Sequence, residues 1–157
     1  SGVAEAGGKP KNTKNADPKV IIKYYSNKSI DWSSGGGIFY APDGQALTIW
    51  PSKDKSGSEY LVGVGKWSVT TKGTMCQKVT WNFLKDGKPA KKEGDSRCRE
   101  HVVDETGVIW VRESKPKRKE WWKLIGSSEN SETNRYKKGN KFKSVMKKNA
   151  KQIGLKL

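Results

Sequence analysis

Residues 63–81 read GVGKWSVTTKGTMCQKVTW, and their pattern indicates the secondary structure of the chain. It holds two tryptophans, three glycines and one of the chain's two cysteines. Small and aromatic residues occupy every second position up to Val69. In the segment that follows, Val79 and Trp81 share one side and Cys76 lies on the other. Because side chains of a β-strand alternate between two faces, this pattern predicts two antiparallel strands joined by a turn.

Short strands separated by turn signals continue on both sides of this stretch. GIFYAPDGQALTIW (37–50) predicts a hairpin that turns at PDG, and RCREHVVDETGVIWVRES (97–114) predicts another that turns at ETG. WWKLIG (121–126) is a last short strand, and KDGKPAKKEGDS (85–96) is interpreted as a polar loop. This spacing predicts a mainly β fold, an antiparallel meander curled into a small lipocalin-like barrel or sandwich.

A short helix is predicted before the strands. Asp17 suits the cap and Pro18 the first helical position, although an extended segment is the alternative. Four residues would share one face of this helix: Val20, Ile21, Tyr24 and Tyr25.

A basic helix is predicted near the C-terminus. Asn140 is its expected cap and Gly154 its expected end, with Phe142, Val145 and Met146 as a narrow apolar stripe.

Three regions follow from these patterns. Residues 1–16 are Gly-, Lys- and Asn-rich and predict a flexible leader. Residues 17–126 predict the β-barrel-like domain with its N-terminal helix. Residues 127–157 predict a Lys-rich C-terminal extension that is partly helical.

The positive charge of the chain is concentrated near its end. The formal net charge is +16, and residues 115–157 carry 14 Lys or Arg against three Asp or Glu. Such a patch attracts polyanions, namely nucleic acid, acidic polysaccharide or an anionic membrane surface, whereas scattered lysines mainly confer solubility. No apolar run approaches the roughly 20 residues that span a bilayer. The first residues lack the apolar core of a signal peptide, so we expect a mature N-terminus after its removal, or a cloning junction.

The two cysteines fall in strands predicted to be neighbours. Cys76 and Cys98 lie equally far from residue 87, so a hairpin centred there would place them opposite each other. A disulfide between them would stabilise the fold by about 3 kcal/mol and would imply an exported protein. Two unrelated reduced thiols are the alternative. A zinc site is disfavoured because His101 is the only histidine that could complete it.

No constellation of catalytic residues emerges from the sequence. His101 lies near Glu100 and Asp104, but Glu100 would point to the opposite strand face, and no nucleophile motif accompanies the histidine. The glycine clusters open no helix with a phosphate-binding fingerprint. We therefore interpret His101 as structural, and we expect no cofactor, no metal and no enzymatic activity.

A basic segment around a tryptophan pair is the predicted contact surface. Trp121 and Trp122 would point to opposite faces of the last strand, so one ring is expected to be free to stack on a sugar or a base. The cations that flank the pair are Lys115, Lys117, Arg118, Lys119 and Lys123. Lysines of the extension would add long-range attraction: Lys137, Lys138, Lys141, Lys143, Lys147, Lys148 and Lys151.

The order of these motifs resembles the domain-of-unknown-function 995 family. An aromatic pair and Asp-Gly precede Gly-x-Trp, then Gly-x-x-Cys and a Trp, then a second Cys and a strand with an aromatic residue and an Arg. The matching residues are Phe39, Tyr40, Asp43, Gly44, Gly65, Trp67, Gly73, Cys76, Trp81, Cys98, Trp110 and Arg112, with the first two in inverted order. The likeness covers about residues 19–142.

This resemblance implies an exported alphaproteobacterial envelope protein with a small β-barrel-like domain, and it implies no activity. It also supports pairing Cys76 with Cys98. The Lys-rich extension departs from the usual pattern of the family.

Together these features predict a non-catalytic periplasmic or secreted binding protein. Its expected partner is an anionic polysaccharide, an envelope glycan or another polyanion. A nucleic-acid-binding β-barrel module and a lipocalin-like carrier of a small apolar ligand are the alternatives, and the carrier requires a hollow barrel.

Overall fold

The computed structural model describes residues 7–54, 57–125 and 132–157. Within these residues the chain forms antiparallel strands and two short helices, which confirms the mainly β class with a helix near each end. The helices are α1 (Pro18–Tyr25) and α2 (Lys143–Ile153). The strands are β1 (Lys14–Asn15), β2 (Lys28–Asp31), β3 (Gly37–Tyr40), β4 (Gln45–Pro51), β5 (Tyr60–Val69), β6 (Met75–Lys85), β7 (Lys88–Glu93), β8 (Arg97–Val103), β9 (Ile109–Lys115), β10 (Trp122–Ile125) and β11 (Lys137–Lys138).

The chain divides into two compact units. The first unit comprises Ser1–Tyr25, Ser68–Gln77 and Ser96–Tyr136. The second unit comprises Ser26–Trp67, Lys78–Asp95 and Lys137–Leu157. The predicted boundary between residues 126 and 127 lies outside the described residues.

In the first unit the strands are ordered β10–β9–β8–β6, and β1 pairs with the second half of β8. The turn between β8 and β9 lies at the predicted residues. Asp104 Oδ1 accepts hydrogen bonds from the backbone N–H groups of Thr106 and Val108, and Gly107 adopts a φ of +87°. A glycine supplies this left-handed conformation without a steric cost, so the sequence ETG closes the hairpin.

Helix α1 begins as predicted. Pro18 is its first residue, and the Asp17 carboxylate accepts a hydrogen bond from the backbone N–H of Lys19 at 2.9 Å. The buried face is narrower than predicted, because Ile21 and Tyr25 are fully buried whereas Val20 remains 36% exposed. Residues four apart stack on one side of a helix, which is the spacing of the two buried residues.

In the second unit the strands are ordered β6–β5–β4–β3–β2–β11, and β7 pairs with β6. The predicted hairpin at PDG is present between β3 and β4. The backbone N–H of Gly44 bonds the Ala41 carbonyl at 3.0 Å, and Asp43 Oδ1 accepts from the backbone N–H of Gln45. The predicted alternation in this region therefore corresponds to real strand pairing.

The polar loop predicted for residues 85–96 is wrong, because β7 occupies half of it. Strand β7 pairs with β6 from Thr80–Glu93 to Lys85–Lys88, across a two-residue turn at Asp86 and Gly87. Both turn residues have positive φ, the conformation that Asp-Gly favours in tight hairpins. The strand escaped prediction because its side chains are almost all exposed, so no apolar face marks it.

Helix α2 anchors to the second unit through one face. Met146 packs in a core cluster with Ile49 and Phe142, and Asn149, Ala150 and Ile153 are also buried. Gly154 ends the helix in the left-handed conformation with φ +79°, as predicted.

The predicted cap of α2 at Asn140 is wrong in position. Phe142 is the residue before the helix, and the Asn140 side chain accepts a hydrogen bond from the backbone N–H of Phe142 at 2.9 Å. The asparagine thus stabilises the loop that leads into the helix, since its bond reaches the residue two positions later.

Candidate functional site

A disulfide joins β6 to β8 inside the first unit. Cys76 and Cys98 are directly paired across the two strands, with their Cα atoms 4.1 Å apart and their sulfur atoms 2.04 Å apart. The predicted pairing is confirmed, and both cysteines of the chain are used in it. The hairpin symmetry around residue 87 was therefore the correct signal, because β6 pairs with β7 across the turn at Asp86 and Gly87 and then with β8 at the cysteines.

The tryptophan pair of the predicted contact surface is not free. Trp121 is 2% exposed, and the Arg112 guanidinium lies 4.8 Å from its ring centroid. Trp122 is half-buried, and the Arg99 guanidinium lies 5.4 Å from its ring. Cations over indole rings contribute favourable electrostatic energy, so these two rings already have partners within the chain.

The cations predicted around this pair separate into two groups. Four of them are exposed in the segment that follows the main part of β9: Lys115, Lys117, Arg118 and Lys119. Lys123 instead lies on β10 with its ammonium 5.6 Å from the Trp110 ring, whose Nε1–H donates to Asp104 at 2.9 Å. The exposed group remains able to attract an anion, whereas Lys123 is engaged with its own strand neighbour.

A buried ion pair, which the sequence did not indicate, lies at the centre of the first unit. The Arg99 guanidinium on β8 donates two hydrogen bonds to the Glu132 carboxylate, and Tyr136 donates a third to the same carboxylate. The Nε atom of Arg99 lies 3.3 Å from Glu113 Oε1 on β9. Bidentate pairing of this kind fixes the orientation of both groups as well as their separation.

This ion pair continues into a chain of hydrogen bonds that ends at His101. Arg99 Nη1 donates to the Tyr25 hydroxyl at 3.1 Å, and that hydroxyl lies 2.7 Å from His101 Nε2. His101 Nδ1 lies 2.7 Å from the Gly73 carbonyl, which can only accept. The histidine proton therefore resides on Nδ1, and Tyr25 donates its own proton to Nε2. One neutral tautomer therefore satisfies both ring nitrogens of His101.

Burial controls the protonation of this network. Desolvation lowers the pKa of His101 to about 4, which outweighs the opposite effect of its bond to the Gly73 carbonyl. Burial by itself would raise the pKa of Glu132. The charge of Arg99 and the hydrogen bonds from Arg99 and Tyr136 reverse this and hold the pKa below its usual value. At neutral pH the network thus contains a neutral histidine and an ionised glutamate.

We expect the free energy of unfolding to fall by about 2 kcal/mol between pH 7 and pH 5 because of His101. The folded ring resists protonation, so the unfolded state binds more protons, and stability present above about pH 6.5 is lost as the pH falls towards 4. Denaturant titrations of the native protein and of His101→Gln at both pH values measure this effect. The variant should lose most of the pH dependence, and an equally steep fall in the variant would contradict the assignment.

The His101 ring is enclosed by its own hydrogen-bond partners. His101 is 1% exposed and faces Tyr25 and Gly73, whereas the neighbouring Glu100 pairs with Arg112 at 2.5 Å. Within the described parts of the chain, no three His, Cys, Asp or Glu side chains come together as a metal site. The hydrogen-bond network therefore connects α1, β8 and the segment that contains Glu132.

Three of the lysines of α2 form a stripe that flanks its buried face. Lys143, Lys147 and Lys151 are exposed and follow at intervals of four residues, so they point in nearly the same direction. The helix contains no acidic residue, and none of the described ion pairs involves these three lysines. We call this set the α2 lysine stripe.

The other lysines of the extension are less uniform. Lys148 lies beside an open groove of about 330 Å³ that Asp54 and Glu59 also line. Lys137 forms an ion pair with Asp31 at 3.6 Å, while Lys138 and Lys141 are exposed. Acidic neighbours thus reduce the net charge near Lys148 and Lys137 but not along the α2 lysine stripe.

The motifs described above fall in the order of a known family. The sequence model of the family described as Protein of unknown function (DUF995) matches residues 1–146. The chain belongs to the DUF995 family. No curated protein and no solved structure matches the chain. In this DUF995 chain the match ends inside α2, so two of the three residues of the α2 lysine stripe lie beyond it. None of the helices in the described ranges is long and apolar enough to cross a membrane.

Proposed function

We propose that this DUF995 protein is a non-catalytic periplasmic or secreted binding protein for an anionic polymer, with an envelope glycan as the leading candidate. The observation that carries the proposal is the α2 lysine stripe. Like charges four residues apart destabilise a helix by about 0.2–0.5 kcal/mol per pair, and here no acidic residue of the helix offsets them. An anionic chain lying along the helix would neutralise all three.

The geometry of the stripe matches an extended ligand. Eight residues separate Lys143 from Lys151, which corresponds to about 12 Å along the helix axis. Met146, Asn149, Ala150 and Ile153 bury the adjacent face of the helix in the second unit, so the lysines are presented from a fixed element. A rigid row of charges favours a polymer with repeated anionic groups over a single small anion.

The disulfide supports the proposed location. Disulfides persist in oxidising compartments such as the periplasm and the extracellular space, and are rare in the cytosol. The pair Cys76–Cys98 is directly cross-strand and leaves no free cysteine in the chain. Alkylation of thiols in intact cells before lysis tests this part: the two cysteines should resist modification until a reductant is added.

The binding test uses two variants with equal net charge. One carries Lys143→Gln, Lys147→Gln and Lys151→Gln, and the other carries Lys11→Gln, Lys14→Gln and Lys72→Gln at exposed positions of the first unit. At about 50 mM salt we expect the first variant to lose on the order of 100-fold in affinity for polyphosphate, from about 1 kcal/mol per lysine. The second variant should lose no more than a few-fold. Equal losses in both would show that net charge alone governs binding and would overturn the assignment to α2.

A further inference from the structure

One exposed and one half-buried tryptophan form a platform in the second unit. The rings of Trp32 and Trp50 lie with their centroids 5.7 Å apart at an interplanar angle of 57°, and Trp50 is 40% exposed. In contrast to Trp110, Trp121 and Trp122, neither ring has a described cation over it. We call these two residues the tryptophan platform.

The backbone around Gly36 positions the two rings of the tryptophan platform. The register of β2, β3 and β4 continues so that Trp32, Gly36 and Trp50 form one row across the sheet, with a 2.8 Å bond from the Trp32 N–H to the Gly36 carbonyl. A Cβ at Gly36 would lie 3.1 Å from both rings and 2.5 Å from the Ile49 carbonyl. The missing side chain therefore allows both indoles to approach over the glycine.

The platform lies on the face of the sheet that α2 does not cover. Leu47 and Ile49 pack with α2, and side chains alternate along β4, so Trp50 points to the other side. On that side Lys28 shares the face of Trp32, about 13 Å away along β2, and Lys138 lies directly opposite Lys28 on β11. Two like charges placed opposite each other across strands are unfavourable until an anion joins them.

The size and surroundings of the platform determine the class of ligand. The exposed part of Trp50 amounts to about 100 Å², because a whole tryptophan buries up to about 250 Å². Each side of a protein–protein interface buries about 800 Å², so the two rings alone do not make such an interface. Ser33 and Ser34 are exposed beside Trp32 and supply hydroxyl groups at the rim. Apolar ring faces with a polar rim and a distant pair of cations suit sugar rings that carry acidic groups.

We propose that the tryptophan platform binds the sugar rings of an acidic glycan, whose anionic groups Lys28 and Lys138 neutralise. The inference rests on the proposed function and deepens it, because it assigns the sugar component of the ligand to a second site. The α2 lysine stripe would bind anionic groups alone, whereas the tryptophan platform would bind the sugar rings that carry those groups.

The test compares a polyanion made of sugars with one that contains none. Affinities of the native protein, Trp50→Ala, Trp32→Ala and Trp50→Phe are measured for polygalacturonate and for polyphosphate of matched charge. The alanine variants should lose about tenfold for polygalacturonate and remain unchanged for polyphosphate, because only the first ligand has rings to stack. Trp50→Phe keeps an aromatic face and should lose less. Thermal unfolding checks that each variant is folded.

Four results would overturn this inference. Equal losses of affinity for both polymers in the alanine variants would mean that the tryptophan rings do not distinguish sugar rings from other polyanions. Unchanged affinity for polygalacturonate would mean that the rings do not contact it. Binding of native protein to polyphosphate but not to polygalacturonate would reject the tryptophan platform and leave the proposed polyanion function intact. Failure to bind either polymer would reject both, so the two proposals fail in distinguishable ways.

Discussion

Replacement of Arg99 by methionine is expected to lower the free energy of unfolding by about 3–5 kcal/mol. Arg99 bonds Glu132 and Tyr25 and lies close to Glu113, and its guanidinium also covers the Trp122 ring. The substitution leaves the Glu132 carboxylate, which is 6% exposed, without its counter-charge. The free-energy cost of a buried carboxylate without a counter-charge is far larger than the net stabilisation that the ion pair provides. The loss of stability therefore exceeds the sum of the hydrogen bonds that are removed. Urea unfolding followed by tryptophan fluorescence measures it.

A matched substitution on the same strand separates burial from charge. Arg97 lies two residues earlier on β8 and is exposed, so Arg97→Met should change stability by no more than about 0.5 kcal/mol. Adding Glu132→Leu to Arg99→Met removes the orphaned carboxylate and should restore part of the loss. A cost for Arg99→Met no larger than that of Arg97→Met would show that the network does not hold the first unit together.

Removal of the disulfide is expected to lower the free energy of unfolding by about 3 kcal/mol and the melting temperature by roughly 10 °C. The bond joins residues separated by 22 positions and restricts the unfolded chain far more than the folded one. In the folded state Cys76 and Cys98 are held opposite each other by strand pairing in any case. The double variant Cys76→Ala and Cys98→Ala is compared with the native protein by calorimetry.

Reductant provides the control for this second prediction. Native protein in reductant should melt close to the double variant, and the double variant itself should not respond to reductant. If the double variant has the same melting temperature as the oxidised native protein, the disulfide contributes nothing to stability and its structural role is rejected.

Local signals accounted for the parts of the fold that the sequence predicted. Asp-Gly and Thr-Gly turns fix hairpins over a few residues, and Pro18 after Asp17 begins α1 at the expected residue. The pairing of Cys76 with Cys98 could be predicted for the same reason, because hairpin symmetry around residue 87 is a local property of the sequence.

The structural features that the sequence did not predict either depend on contacts between distant residues or lack an apolar face. Arg99 meets Tyr25 and Glu132 at separations of 74 and 33 residues, and no periodicity within one strand indicates such a meeting. Strand β7 carries charges on both faces, so alternation could not mark it.

The choice of exposed tryptophans shows the same limit. Trp121 and Trp122 stood out because lysines neighbour them in the sequence, yet their rings are covered by Arg112 and Arg99 from other strands. Trp32 and Trp50 come together only through the register of three strands across Gly36, which a linear reading does not display. Side-chain exposure is decided by tertiary packing, and sequence neighbourhood is a poor guide to it.

The salt dependence of binding tests whether the α2 lysine stripe holds an anionic polymer. Affinity for polyphosphate is measured from about 50 to 200 mM salt in the variant lacking Lys143, Lys147 and Lys151 and in the charge-matched variant lacking Lys11, Lys14 and Lys72. Each lost contact reduces the slope of log Kd against log salt by roughly 0.7–0.9, so the first variant should have a slope smaller by about 2–3 than the second. Equal slopes in the two variants would show that the α2 lysine stripe does not hold the polymer.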